Sequence, residues 1–140
     1  MGLTFRWRTA DSPISERRRP SWSYSGFMTF RERLARQAGL IGPADSLDHY
    51  YDSIAGTAFK AGDRDALRAF PSQFNEPLVL LIDHSDCDGD LSPDQCGRLA
   101  PRIRELISEW PADDYDRIHG ERLAGACDDC ARDRVLLEFC

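Results

Sequence analysis

From Cys96 to Trp110 the apolar residues Cys96, Leu99, Ala100, Ile103, Leu106, Ile107 and Trp110 recur at intervals of three and four. On an α-helix that spacing gathers them into one stripe, and a helix with one apolar stripe must bury it against another element. Ser92, Pro93 and Gln95 spell the start of this helix: a capping serine, a first-turn proline whose missing N–H costs nothing there, and a capping-box glutamine. The pattern predicts a helix from Pro93 to about Glu109, with Pro101 kinking it or dividing it in two.

The partners for that stripe are readable at lower resolution. Leu3, Phe5 and Trp7 alternate with Thr4, Arg6 and Arg8, the period of two of a strand buried on one face. From Ala10 to Ser25 the chain is rich in Ser, Pro and Arg without an apolar period, which predicts a long, mobile loop over 10–21 anchored at its far end by Trp22 and Tyr24. Phe27, Phe30, Leu34 and Ala38 mark a helix capped by Ser23 or Ser25 and stopped by Gly39. Leu47, Tyr50, Tyr51 and Ile54 suggest a shorter helix capped by Asp45 or Ser46, and Asp63 caps a brief segment through Phe70. Leu78 to Ile82 is an unbroken apolar run, read as a strand buried on both faces at the centre of the sheet. Asp113 or Asp114 caps a short turn, and a last helix from Glu121 to about Asp133 leads into a strand from Val135 to Phe139.

The resulting order, βαα(α)βααβ, predicts an α+β fold: a small mixed or antiparallel sheet of about three strands packed against four to five helices. A chain of 140 residues is one domain's worth, 1–140, and 41% hydrophobic with 30% charged residues is ordinary globular composition. The formal charge of -6, from 24 acidic against 18 basic residues, disfavours a grip on a phosphate backbone, so no nucleic acid partner is expected. No segment approaches a membrane span or a signal peptide, which predicts no membrane and a cytoplasmic protein. In that compartment Cys87, Cys96, Cys127, Cys130 and Cys140 are read first as reduced thiols. The arginines cluster in the first 40 residues and the carboxylates dominate from Asp83 on, a polarity that suits a protein partner or self-association as well as two solvated surfaces.

The chemistry-bearing residues crowd into Asp83-His84-Ser85-Asp86-Cys87-Asp88-Gly89-Asp90, between an apolar run and a capped helix. Asp86, Asp88 and Asp90 alternate around Gly89, a residue that permits positive φ, so the segment suits a hard cation such as calcium. The match to the EF-hand pattern covers Asp86, Asp88, Gly89 and Leu91, but His84 stands at the first ligand position and Gln95 replaces the bidentate glutamate. Alternatively His84 and Cys87, as H-x-x-C, combine with Cys127 and Cys130, as C-x-x-C, into a tetrahedral zinc set. Against zinc, Leu123, Cys127, Cys130 and Ala131 share one face of the last helix, where cysteine packs as a small hydrophobe, so the default expectation is no cofactor. Cys96 belongs to its own apolar stripe. A redox role for Cys127 and Cys130 is disfavoured by Asp128 and Asp129, which would raise their thiol pKa values.

Asp83, His84, Asp86 and Cys87 contain the ingredients of a base and a nucleophile, but no nucleophile motif and no phosphate loop occurs. His49 and His119 are read as surface or helix-end residues. Trp22 and Tyr24 are the candidate aromatic contacts for a partner, with core packing as the alternative. At Trp22-Ser23-Tyr24-Ser25-Gly26-Phe27, followed by Phe30 and Arg31, and again at His84-Ser85-Asp86-Cys87-Asp88-Gly89, the chain resembles a group of small proteins of actinobacteria and their phages. That resemblance spans Trp22 to Arg36 and Pro77 to Trp110, implies a source but no activity, and would suit a protein that sequesters a host factor. The expectation from the whole sequence is a non-enzymatic interaction or accessory domain whose 83–90 loop binds a metal ion or partner. The alternative is a small metal-dependent or hydrolase-like enzyme using the same loop.

Overall fold

The computed structural model describes residues 2–7, 19–47, 76–82 and 89–139. Expectations for the 10–18 loop, for the helices at 48–54 and 63–70, and for residues 83–88 lie outside those residues. In chain order the elements are β1 (Gly2–Leu3), β2 (Phe5–Arg6), β3 (Trp22–Ser23), α1 (Tyr24–Gln37), α2 (Val79–Ile82), β4 (Asp90–Leu91), α3 (Pro93–Ile107), α4 (Tyr115–Asp133) and β5 (Leu137–Phe139). This is an α+β fold, with four helices among the described residues, a two-stranded antiparallel ribbon β1-β3 and a three-stranded antiparallel sheet in the order β2-β5-β4.

The helix read from its stripe and cap is α3. Ser92 Oγ accepts from the Gln95 N–H at 3.2 Å while the Gln95 side chain accepts from the Ser92 N–H at 2.8 Å, so two otherwise orphaned donors are satisfied reciprocally. Pro101 neither divides nor ends it. It sits on the exposed side, and Gly97, whose carbonyl proline cannot serve, is exposed as well. α1 starts at Ser23, whose hydroxyl accepts from the Gly26 N–H, and stops where Gly39 takes φ 76°. There Gly39 N–H reaches the Arg36 carbonyl and Leu40 N–H the Ala35 carbonyl, closing a Schellman motif.

α3 and α4 form an antiparallel hairpin. A Cβ at Gly97 would stand 3.5 Å from the Ala131 methyl, and one at Gly120 would stand 3.4 Å from Ile107 Cδ1, so the start of α3 meets the end of α4 and the reverse. α4 begins at Tyr115 rather than Glu121, because the Asp114 carboxylate accepts from the Arg117 N–H and caps the long helix itself. Gly120 is carried inside the helix for a packing reason: a Cβ there would meet the Phe30 ring at 3.2 Å. α4 ends on Arg134 in the left-handed region (φ 57°), with Val135 N–H returning to the Cys130 carbonyl.

Two strand expectations change. Leu78 to Ile82 is not the central strand; it is helical, with Leu81 and Ile82 N–H groups both reaching the Leu78 carbonyl at 3.0 Å. An unbroken apolar run carries no polar/apolar period, and Pro77 at its head favours the helix start. The centre of the sheet is β5, flanked by β2 and β4. The first strand keeps its alternation, Leu3 and Phe5 in and Thr4 and Arg6 out, but breaks at Thr4, so that Gly2–Leu3 pairs with Trp22–Ser23 and Phe5–Arg6 with β5.

Buried side chains from these elements join in one cluster, in which Phe5, Trp22, Phe27, Phe30 and Phe139 make the aromatic half and the α3–α4 stripe the aliphatic half. Among the described residues no helix is long and apolar enough to cross a membrane. Leu123, wholly buried in the α3–α4 interface, tests the role of that hairpin. Leu123→Ala is expected to lower the unfolding free energy by about 2–5 kcal/mol, whereas Ile118→Ala on the exposed side of α4 should change it by less than about 0.5 kcal/mol, both measured by urea denaturation.

Candidate functional site

Asp83, His84, Asp86, Cys87 and Asp88 lie outside the described residues, but both ends of their loop are defined. On the near side α2 is held at each end by an arginine system. Glu76 accepts from the Leu78 N–H and takes a two-pronged contact from Arg102 of α3, Nε at 2.7 Å and Nη2 at 2.8 Å. At the other end Arg31 of α1 is only 2% exposed, and its Nη1 donates to the Leu81 and Ile82 carbonyls at 3.4 and 3.3 Å. Burying a guanidinium is costly unless it is hydrogen-bonded, and the C-terminal carbonyls of a helix are suitable acceptors. Its carbon also sits 4.8 Å from the Phe27 ring centre, a cation–π arrangement.

On the far side Gly89 takes φ 95°, the conformation expected of it, and its carbonyl accepts from the Phe139 N–H at 3.0 Å. Asp90 then pairs with Glu138 and Leu91 with Leu137 in antiparallel register. Leu91 is buried while Asp90 and Glu138 are exposed, so the two carboxylates share the outer face, with Arg6 across from Glu138 on its other side. Like charges directly opposite on a sheet repel, and Arg6 beside Glu138 offsets part of that negative charge. Glu138 was invisible to motif reading because only the β4–β5 register brings it to the loop. Gln95, which stands where an EF-hand has its glutamate, spends its amide oxygen on the α3 cap.

Cys127 and Cys130 are buried in the α3–α4 interface beside Cys96. Hydrogen bonding with Cys127, and then burial, pushes the Cys96 thiol well above the ordinary thiol range; hydrogen bonding with Cys96, and then burial, does the same to Cys130. Cys96 and Cys130 hold their protons, and all three buried cysteines fill the interface as small apolar groups. Asp128 and Asp129, the residues between Cys127 and Cys130, pair outward with Arg104 and Arg132. Among the described residues no group of three or more His, Cys, Asp or Glu side chains is arranged to hold a metal ion.

Trp22 is 2% exposed, stacks on Phe30 with ring centres 4.5 Å apart, and donates its indole N–H to Asp116 Oδ1 at 3.1 Å. What this aromatic pair offers a partner is therefore Tyr24, 37% exposed at the start of α1. His119 departs from its surface assignment: it is 8% exposed, and its Nδ1 accepts from the Ser21 N–H at 3.0 Å. The signal was present, since His119, Leu123, Cys127 and Cys130 continue one buried helical face. Arg33 completes this second polar cluster, bridging Asp114 and Asp116 at 2.9 and 2.8 Å while stacking 3.8 Å over Trp110. Its hydrogen bond to Asp114 holds that carboxyl below the usual carboxylate range.

Arg31→Met would remove one donor from each of the Leu81 and Ile82 carbonyls, which is expected to cost about 1–3 kcal/mol and to reduce amide-exchange protection at Leu81 and Ile82 more than at Ile103. The buried thiols predict a separate outcome. Cys96, Cys127 and Cys130 should resist Ellman's reagent at pH 8 in the folded protein and react fully once urea has unfolded it. No family model matches the chain, and no curated protein or solved structure matches it either.

Proposed function

We propose that this chain is a non-enzymatic interaction domain that uses its acidic 83–90 loop to engage a cationic ligand, with a divalent metal ion of the calcium type as the simplest case. The observation that carries the reading is the β4–β5 register, which adds the Glu138 carboxylate to that of Asp90 at the foot of a loop whose sequence supplies Asp86 and Asp88. Oxygen ligands alternating around a glycine turn are the chemistry a hard cation selects. The anchoring of both loop ends supports the same reading: Arg31 grips the near side and Phe139 the far side, so a ligand need not order the scaffold to bind the loop. The free thiols Cys96, Cys127 and Cys130 suit a reducing cytoplasm.

Nuclear magnetic resonance titration tests this directly. Calcium added to about 10 mM, above the Kd of the weakest calcium modules at about 10⁻³ M, should shift the Gly89, Asp90 and Glu138 amides saturably. An Asp86→Asn, Asp88→Asn variant should lose the effect, and Glu138→Gln should weaken it severalfold. Shifts that are absent, or that persist unchanged in the double variant, would remove the cation reading.

A further inference from the structure

The segment leading into α1 is tied to the first turns of α4 by three hydrogen bonds. Tyr115 O–H donates to the Ser21 carbonyl at 2.7 Å, the Ser21 N–H donates to His119 Nδ1 at 3.0 Å, and the Trp22 indole N–H donates to Asp116 at 3.1 Å. Of these, only the Ser21–His119 bond depends on a group whose ordinary pKa lies near neutrality, and a protonated Nδ1 is a donor and cannot accept. We propose that His119 makes the 19–23 segment a proton-released latch, docked while the imidazole is neutral and undocked when it is protonated.

The surroundings favour the neutral ring. His119 is nearly enclosed, with Tyr115 stacked on it at 4.2 Å and the edge of Trp22 at 5.7 Å between ring centres. Among the described residues the charged groups that bear on it are Arg122 and Asp116, both on α4; from the 21–23 segment it meets an amide and an indole. Arg122 opposes a second positive charge. Asp116 would favour one, but its carboxylate is already engaged by Arg33 and the Trp22 indole. Burial first, and Arg122 second, accordingly hold the His119 pKa below the usual imidazole value.

The direction of the pH effect follows. A group whose folded pKa is depressed contributes stability above its unfolded pKa, about 6.5 for imidazole, and that contribution is lost as the pH falls through the lower folded value. The consequence is local. Trp22 covers Phe5, Phe27 and Phe30, and β3 holds β1, so release of the latch uncovers an aromatic cluster and loosens the N-terminal ribbon.

The test is amide-exchange protection of Ser21 and Trp22, corrected for intrinsic rates, from pH 7.5 to pH 5 in the whole chain. Protection should fall by about tenfold, the equivalent of one lost hydrogen bond, with a midpoint below 6.5 that coincides with titration of the His119 ring carbons. His119→Gln, which keeps an acceptor but cannot titrate, should abolish the pH dependence, while Tyr115→Phe should lower protection at every pH and leave the midpoint in place. If His119→Gln fails to fold, the wild-type coincidence of the Ser21 and His119 midpoints still decides. Protection that is flat over this range, or that titrates without His119, overturns the latch.

Discussion

The antiparallel contact between α3 and α4 is the constraint on which the other elements depend. The stripe of α3, with Leu99, Ile103, Leu106 and Ile107 buried, finds its complement in Leu123, Ala124, Cys127 and Cys130 of α4. Burying such side chains supplies roughly 1.5–3 kcal/mol each before entropy is subtracted, so a hairpin of this kind can organise what packs on it. α1 lies against it through Phe30, which fills the space that Gly120 leaves open. The chain leaving α4 at Arg134 delivers β5 to the middle of the sheet, where β4, on the way into α3, can pair with it. The foot of the acidic loop is therefore built from both ends of the hairpin.

What the sequence disclosed followed from local rules. The cap and stripe of α3 lie in adjacent residues, and the predicted helix from Pro93 to about Glu109 is observed as Pro93–Ile107. Ser23 and Gly39 likewise delimit α1 by chemistry confined to a few residues. Leu78 to Ile82 failed because a run of five apolar residues has no polar position to betray its period, and only tertiary contacts decide between strand and helix. The start of α4 was missed because Gly120 looks like a breaker until Phe30 is placed against it.

The candidate site divides in the same way. Asp90 and Gly89 were legible from the composition of their loop, whereas Glu138 needed a strand register and Arg31 needed the carbonyls of a distant segment. Arg31 does leave a trace, since it falls four residues after Phe27 and three before Leu34, inside the apolar stripe of α1. A charged residue within such a stripe implies a buried acceptor, but the sequence does not say which. The cysteines show the reverse difficulty. Their C-x-x-C spacing suggests a ligand pair, while the same spacing on a helix describes two positions of one apolar face, and burial beside Cys96 favours the second description.

α1 connects the two polar centres through neighbouring arginines that do opposite things. Arg31 turns inward to the carbonyl end of α2, and Arg33 turns to Asp114 and Asp116 at the amide end of α4. Each guanidinium thus meets the negative groups gathered at a helix terminus, one set from backbone dipoles and one from capping carboxylates. Each guanidinium also lies over an aromatic ring, Arg31 over Phe27 and Arg33 over Trp110, so the two contacts fix geometry as well as stabilise. A rotation of α1 would strain both grips at once. The loop base and the His119 cluster are consequently both anchored to one helix, through arginines two residues apart.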